Sequence, residues 1–345
     1  MTISYPIKAR RGVMPEPYKV IVEDYAIGAP PPGNVLIQVE ASAISAGTEL
    51  AVYTGVHQWL KDPTRTWPRF PFVPGYSGVG RIMAAGQGVE KFKVGDRVIF
   101  PARHESHTHV DVTAPGSLIV PIAEHVPAKV AAAAALARFP LAALVQSREM
   151  LGQCVAVLGL GMIGQIAVRL FSAAGAYPVI GIDGVAARRD IATECAHVPT
   201  FDPADPGLKD ALRAVNDGQL PDIVVEATGN PQAVKLGMNI VTDGGKVVMV
   251  GSPRGIAGEV DFYWDLHGRS TQLIGAHGSA IGLDPREKFP FVLRRAMRLL
   301  VHLLESGKVR LDDIVSHYEH GDNLGAMYDG LLNRKDDHLL VAVHW

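Results

Sequence analysis

A glycine-rich segment near the middle of the chain has the spacing that holds a phosphate group. Gly159, Gly161 and Gly164 follow an apolar run and precede a helix-like segment, in the pattern G-x-G-x-x-G. In a strand–turn–helix unit the first glycine permits a tight turn, the second lets the backbone approach a pyrophosphate, and the third lets the helix pack against the strand. The free amides at the helix start would bind the phosphates. The predicted dinucleotide-binding residues of this turn are Gly159, Leu160, Gly161, Met162, Ile163 and Gly164.

An aspartate further along indicates which dinucleotide the turn would bind. Asp183 ends the second predicted strand of this region. A carboxylate there can accept a hydrogen bond from the ribose 2′-hydroxyl and would repel a 2′-phosphate, so the sequence favours NAD over NADP. Arg188 and Arg189 follow closely. They could pair with a 2′-phosphate or lie on a solvated helix face, and we include Arg188 among the predicted cofactor-binding residues.

Two further strand ends add small residues to the predicted cofactor site. They contribute Thr228, Gly229, Val250, Gly251 and Ser252. The carboxyl ends of parallel strands line the ligand crevice of open α/β sheets. Small side chains there would leave room for the adenosine and the nicotinamide, although ordinary strand-to-helix turns have the same composition.

A histidine-rich segment, Pro101–His109, supplies groups that could move protons. It contains His104, Glu105, His107 and His109. Because histidine titrates near neutral pH, we predict that His104 and His107 handle protons. The alternatives are an exposed polar loop, or a metal site of the pattern H-x-x-H-x-H.

The elements that would position these residues change character near residue 130. The earlier β-rich runs, separated by Gly and Pro, predict an antiparallel β domain. Beyond a helical segment over Lys129–Met150, apolar strands alternate with amphipathic helices, which predicts a doubly wound parallel sheet and an α/β fold. The last predicted strand of this sheet is Gln272–Ala276, a helix follows over Phe289–Ser306, and the strand Leu339–Val343 is assigned back to the first domain.

Composition excludes several classes of protein. The 345 residues suggest about two domains, and the formal net charge of -2 argues against a nucleic-acid partner. Two cysteines, Cys154 and Cys195, exclude a disulfide scaffold and a cysteine-rich metal site. We see no signal-peptide pattern and no apolar run of about 18 residues. We therefore expect a cytoplasmic protein with a small-molecule substrate and no membrane partner.

The order of these motifs resembles the medium-chain dehydrogenase/reductase superfamily over essentially the whole chain. The matching segments are Pro74–Gly80, Val94–Val98, the glycine-rich turn, Asp183 and Gly244–Gly251. The resemblance implies a GroES-like β domain, residues 1–136 and 277–345, and a Rossmann dinucleotide-binding domain, residues 137–276. It also implies a homodimer formed through the edge strand Leu273–Ala276.

The chain departs from the zinc-binding members of that superfamily at two ligand positions. By resemblance, Ala46 stands where those members have a cysteine, and Gly75-Tyr76-Ser77 replaces Gly-His-Glu. The chain therefore looks like a zinc-lacking member that uses no metal. Its short motifs are similar to the branch that includes bacteriochlorophyllide hydroxyethyl dehydrogenases.

Without zinc, a protic side chain must take the proton of an alcohol substrate. The predicted catalytic residues are Tyr76, His104, His107, Thr48 and Glu49. Tyr76 would face the nicotinamide or pack as an aromatic ring. Thr48 matches a proton-relaying hydroxyl by resemblance, or caps a helix. Glu49 would act as a base, or as a structural carboxylate.

These features predict a zinc-independent NAD(H)-dependent oxidoreductase that interconverts a secondary alcohol and a ketone. The polar candidate residues favour a polyhydroxylated substrate of the sugar or cyclitol type. One alternative is an NAD(P)H-dependent enoyl or quinone reductase. An alternative of another class is a nucleotide-binding protein without catalytic activity.

Overall fold

The computed structural model describes residues 3–114, 116–278 and 292–345. The chain divides into two compact units. The first unit comprises Met1–Leu136, Leu293–Gly307 and Val315–Trp345, and the second comprises Ala137–Val292 and Lys308–Ile314. Residues 308–314, assigned to the first domain in the sequence analysis, belong to the second unit, where Asp313 pairs with Arg169. Residues 277 and 278 also fall in the second unit, and 279–291 lie outside the described residues.

The strands are β1 (Ile7–Val13), β2 (Ile21–Ile27), β3 (Asn34–Ala43), β4 (Gly78–Ala85), β5 (Arg97–Phe100), β6 (His107–Asp111), β7 (Val120–Pro121), β8 (Val155–Leu158), β9 (Val179–Ile182), β10 (Thr200–Phe201), β11 (Ile223–Glu226), β12 (Lys246–Met249), β13 (Gln272–Gly275), β14 (Val315–His320) and β15 (Leu340–His344). The α-helices are α1 (Thr48–Tyr53), α2 (Ala128–Ala131), α3 (Arg138–Ser147), α4 (Met162–Ala173), α5 (Ala186–Ala196), α6 (Leu208–Ala214), α7 (Pro231–Ile240), α8 (Leu293–Glu305) and α9 (Leu324–Asn333). Among the described helices, none has the length and apolar composition needed to cross a membrane.

The first unit is built on a mostly antiparallel sheet. Its strands follow the order β14-β15-β3-β4-β5-β7, with β6 also paired to β3, and β1 pairs with β2 in a separate hairpin. The C-terminal strand β15 pairs with β3, where Ala342 lies opposite Ala43. This confirms that the last strand returns to the first domain.

One apolar cluster of the first unit brings the end of the chain to its beginning. Helix α9 packs on α1 through Tyr328, Val52 and Tyr53, and the cluster continues to Ile44 and Phe72. Burying such large side chains contributes roughly 1.5–3 kcal/mol each. The cluster therefore fixes α1 and the turn before it, which carry several of the candidate catalytic residues.

The second unit is a doubly wound α/β sheet, as predicted. All six strands are parallel, in the order β10-β9-β8-β11-β12-β13. Strands β8, β9 and β11 are buried along their whole length, because helices on both faces demand continuous apolar runs. The carboxyl ends of these strands meet along one edge of the sheet.

One local prediction is wrong, and one strand was not predicted. The helical segment predicted over Lys129–Met150 is two helices separated by turns. Pro140 has no amide hydrogen, so it fits within the first turn of α3 and could not lie inside one long helix. The segment around His107, which was not assigned to a strand, enters β6, because residues 107–111 pair with β3. The helix predicted over Phe289–Ser306 is observed from Leu293, and residues 289–291 lie outside the described residues.

Candidate active site

The glycine-rich turn of the second unit requires glycine at two of its three glycine positions for steric reasons. Gly159 has a φ of +96°, and a Cβ there would lie 2.6 Å from Cγ2 of Thr228. A Cβ on Gly164 would lie 1.7 Å from the carbonyl oxygen of Gly159. Gly161 precedes α4, whose first turn receives no side-chain cap among the described residues. The turn therefore presents backbone amides and the positive end of a helix dipole, as a pyrophosphate site requires.

Asp183 joins this turn to the end of β9. Its Oδ2 accepts from the amide of Leu160 at 2.6 Å, and its Oδ1 accepts from the amide of Val185 at 2.8 Å. The guanidinium of Arg188 lies 3.9 Å from Oδ2 of Asp183 and at the same distance from the Cβ position of Gly161. The carboxyl group thus orders two turns, and Arg188 lies beside the glycine-rich turn.

A cavity of about 280 Å³ opens at this edge of the sheet. Its lining includes Gly159, Asp183, Gly184, Thr228, Asn230 and Gln232. Such a volume lies near the lower limit of small-molecule sites, so it suits one part of a dinucleotide.

The turn after β11 is held by a buried carboxyl group that the sequence analysis did not select. Oε1 of Glu226 accepts from the amides of Thr228 at 2.7 Å and Gly229 at 3.0 Å, and from the Thr228 hydroxyl. Burial raises the pKa of Glu226 above its ordinary value. The backbone oxygen of Glu226 accepts from the amides of Val250 and Gly251, both at 2.8 Å.

The structure brings the two predicted strand-end turns together. A Cβ on Gly251 would lie 2.3 Å from the amide nitrogen of Gly229, and a Cβ on Gly229 would lie 2.9 Å from the carbonyl oxygen of Ser252. The turn after β11 also adjoins Gly159, since a Cβ on Gly159 would lie 2.6 Å from Cγ2 of Thr228. The residues present therefore fit a dinucleotide along this edge.

In the first unit, two predicted catalytic residues meet in the interior. His104 Nε2 lies 2.9 Å from Oε2 of Glu49, and His104 Nδ1 lies 2.8 Å from the hydroxyl of Ser42. Tyr328, from α9, donates its hydroxyl to the same Oε2. Burial, followed by the adjacent Glu49 carboxyl group, raises the pKa of Tyr328 well above its usual range.

Tyr76 and Thr48 lie closer to solvent than this cluster. Tyr76 is half-buried, and its hydroxyl donates to Oγ of Ser45 at 2.6 Å. The amide of Ser45 in turn donates to Oε1 of Glu49 at 3.0 Å. Thr48 is the half-buried first residue of α1, and Gly47, not Thr48, occupies the cap position.

His107 is positioned apart from His104. It begins β6, its Nδ1 lies 3.1 Å from the hydroxyl of Ser106, and burial lowers its pKa. His109, two residues along the same strand, approaches the carbonyl oxygen of Gly28 through Nε2 at 3.1 Å. Within the part of the chain that the structure describes, no group of three or more His, Cys, Asp or Glu side chains is placed to hold a metal ion.

At the positions where the resemblance puts zinc ligands, the residues present do not fit zinc. Ala46 has no donor atom, and the hydroxyl of Tyr76 is engaged with Ser45. Ser77 donates its hydroxyl to the carbonyl oxygen of Ala132 at 2.5 Å and is fully buried. Zinc prefers thiolate, imidazole and carboxylate ligands, and these three positions supply none of them.

Two family models match the chain, one in each unit. Residues 31–117 match the alcohol dehydrogenase GroES-like domain, and residues 162–296 match the zinc-binding dehydrogenase model. Together they span well over half of the chain. The chain belongs to the medium-chain dehydrogenase/reductase, alcohol dehydrogenase-like superfamily.

Several relatives of this dehydrogenase have a named activity. L-threonine 3-dehydrogenase of Pyrococcus furiosus is 27% identical over 318 residues, covering 85% of this chain and 86% of that protein. L-galactonate-5-dehydrogenase of Escherichia coli is 27% identical over 328 residues, covering 88% and 89%. The crystal structure of 2R,3R-butanediol dehydrogenase from Bacillus subtilis superposes with a TM-score of 0.82 at 20% identity, covering 98% and 99%.

Sequence reasoning missed four polar residues of this dehydrogenase. Ser42, Ser45 and Tyr328 surround Glu49 and His104, and Glu226 holds the turn beside the glycines. The segment Glu226-Ala227-Thr228-Gly229 at a strand end could have indicated that the Glu226 carboxyl group holds this turn. Tyr328 carries no comparable local signal, because its partner Glu49 is 279 positions away.

Proposed function

We propose that the protein is a zinc-independent, NAD(H)-dependent oxidoreductase that interconverts a secondary alcohol and a ketone on a polar, polyhydroxylated metabolite. The observation that carries this proposal is the Tyr76–Ser45 hydroxyl pair, since Tyr76 stands where the resemblance puts a zinc-ligating histidine. The names of the relatives support the substrate class, since threonine, galactonate and butanediol each carry a secondary hydroxyl group.

NAD is the proposed cofactor, and when bound it accepts or supplies the hydride. The amides of the glycine-rich turn and of α4 would hold its pyrophosphate, and Asp183 would accept from the adenosine ribose. Arg188 lies beside the same turn, so it would contact a phosphate of the cofactor.

Tyr76 is the proposed proton-transferring residue. In ketone reduction its hydroxyl donates a proton to the carbonyl oxygen, and in alcohol oxidation the oxygen accepts that proton. Ser45 Oγ, 2.6 Å away, offers a neighbouring hydroxyl through which the proton is replaced. Thr48 and His107 are the other predicted residues with partial exposure, and they remain candidates for orienting the substrate.

Paired turnover measurements test this proposal. The purified protein is assayed with NAD and NADP against L-threonine, L-galactonate, erythritol and 2R,3R-butanediol, and with NADH and NADPH against the corresponding ketones and an enone. We expect NAD-dependent oxidation of at least one alcohol and a loss of about 10²-fold or more in kcat for Tyr76→Phe. NADPH-dependent enone reduction alone would favour an enoyl or quinone reductase. Cofactor binding without turnover of any of these compounds would favour a non-catalytic protein.

We also propose that two copies pair through β13. This strand ends the second unit's sheet, and Leu273 on it is 42% exposed. Phe262, Tyr263 and Trp264, a few residues earlier, are more exposed still. An edge strand with apolar exposure is a template for pairing with another chain. Leu273→Glu is expected to shift the protein from dimer to monomer in sedimentation experiments, and an unchanged mass would contradict the pairing.

A further inference from the structure

Four polar side chains from four separate segments form one buried cluster in the first unit. They come from β3, α1, the link between β5 and β6, and α9, and each is at most 1% exposed: Ser42, Glu49, His104 and Tyr328. Burying polar or ionisable groups costs several kcal/mol unless they are well paired. Because apolar side chains would fill the same space at a lower desolvation cost, the cluster points to a role beyond packing.

The polar groups of the cluster are satisfied by one another. Both carboxyl oxygens of Glu49 accept hydrogen bonds, Oε1 from the amide of Ser45 and Oε2 from Tyr328 and His104. Both ring nitrogens of His104 are also engaged, the second with Ser42. Since these atoms are buried and paired, Glu49 and His104 are poorly placed to exchange a proton with a substrate.

Ser45 connects the cluster to the proposed proton-transferring residue. Its amide donates to Glu49 at 3.0 Å, and its hydroxyl accepts from Tyr76 at 2.6 Å. The Glu49 carboxyl group therefore holds the backbone of the residue whose hydroxyl accepts from Tyr76. The backbone oxygen of Ser45 also accepts from the amide of Glu49 at 3.1 Å, so the two residues are joined by two hydrogen bonds.

We propose that Glu49, His104 and Tyr328 are positioning residues that hold Ser45, and through it the hydroxyl of Tyr76, in the geometry needed for proton transfer. The inference rests on the role proposed above for Tyr76. In this arrangement a buried hydrogen-bonded cluster fixes the proton-transferring group. It gives His104 a role different from the proton handling predicted for it, and it gives Glu49 the structural role that was one of its two predicted alternatives.

Removing one hydroxyl group tests the inference. Tyr328→Phe deletes the bond to Glu49 and keeps the ring. Tyr53→Phe is the matched control, because its ring stacks on Tyr328 with centroids 5.4 Å apart while its hydroxyl faces the backbone of Tyr18. We expect Tyr328→Phe to lower kcat about tenfold with the Kd for NADH unchanged, because small misplacements of reacting groups are costly. Tyr53→Phe should retain the kcat of the unmodified protein.

A double variant separates positioning from general loss of structure. If Tyr328 acts through Tyr76, then adding Tyr328→Phe to Tyr76→Phe lowers kcat no further. Additive losses, or a kcat for Tyr328→Phe equal to that of Tyr53→Phe, would overturn the inference. Should Tyr328→Phe fail to fold, Ser42→Ala replaces it, because Ser42 bonds the ring nitrogen of His104 that does not face Glu49. Adding Ser42→Ala to Tyr76→Phe should likewise lower kcat no further.

A substrate-independent measurement distinguishes this inference from the proposed function. The alkaline absorbance titration of Tyr76 is obtained as the difference between each protein and the same protein carrying Tyr76→Phe. We expect a shifted midpoint in Tyr328→Phe and none in Tyr53→Phe. No shift overturns the positioning role, even if Tyr76→Phe lowers turnover. An unchanged turnover in Tyr76→Phe rejects the role of Tyr76 and, with it, the positioning role of the cluster.

Discussion

The glycine-rich turn of the second unit and the tyrosine site of the first unit fix their functional groups in opposite ways. At the turn, backbone atoms would contact the ligand, and Gly159 and Gly164 leave no space for a side chain. At Tyr76, a side chain is the functional group, and a chain of other side chains holds it through Ser45 and Glu49.

This difference determines how each region tolerates substitution. A turn built from backbone geometry fails when any Cβ is added at a close contact, whatever the chemistry of the new side chain. A site built from a hydrogen-bonded cluster loses activity gradually, because removing one hydrogen-bond partner leaves the neighbouring side chain less well fixed.

Gly164→Ala should have the largest effect, because its Cβ would lie 1.7 Å from the Gly159 carbonyl oxygen and 2.8 Å from the adjacent carbonyl carbon. The helix must move away from β8, and we expect NADH affinity to fall by about 100-fold or more together with a lower Tm. Titration of NADH fluorescence measures the affinity. Gly28→Ala is the control, since nothing lies within 4 Å of its Cβ position. Wild-type NADH affinity in Gly164→Ala would contradict the backbone account of the turn.

Asp183→Asn should have an intermediate effect on the choice of cofactor. Asparagine keeps one acceptor oxygen and replaces the other with an NH2 donor, so the amide of Leu160 or of Val185 loses its partner and a 2′-phosphate is no longer repelled. We expect about a tenfold loss of NAD affinity, the worth of one charge-assisted hydrogen bond, and a relative gain for NADP. The Kd values for NAD and NADP measure this change in preference. Asp190→Asn, at an exposed aspartate, is the control. An unchanged ratio of the two affinities would remove Asp183 from the specificity site.

His107→Gln should have the smallest effect on stability among these variants, and the effect should depend on pH. Burial lowers the pKa of His107 below the ordinary value of 6.5. The unfolded chain therefore binds more protons than the folded chain as the pH drops through about 6.5, and the free energy of unfolding falls. In His107→Gln this part of the pH dependence should disappear. Urea unfolding between pH 7.5 and 5.5 measures it, and a variant whose pH dependence matches the unmodified protein would contradict the burial argument.

The same contrast explains how much could be predicted from sequence. The parallel sheet, the glycine-rich turn and Asp183 depend on short-range patterns, since a tight turn needs glycine and a doubly buried strand needs apolar residues. Glu49 and His104 were selected as chemically capable residues, but their burial depends on Tyr328, far away in sequence. Strand β6 was missed for a related reason, because its pairing partner β3 is distant and its own residues are polar. Long-range pairing leaves little local signal.

A single preparation can test the central claim, that hydroxyl groups held by a buried cluster replace a metal. Zinc content and NAD-dependent turnover are measured on the same sample before and after dialysis against a chelator. Because Ala46, Tyr76 and Ser77 do not fit zinc ligation, we expect full turnover with substoichiometric zinc and no gain when zinc is added back. Loss of turnover on chelation, restored by one zinc ion per chain, would contradict the account.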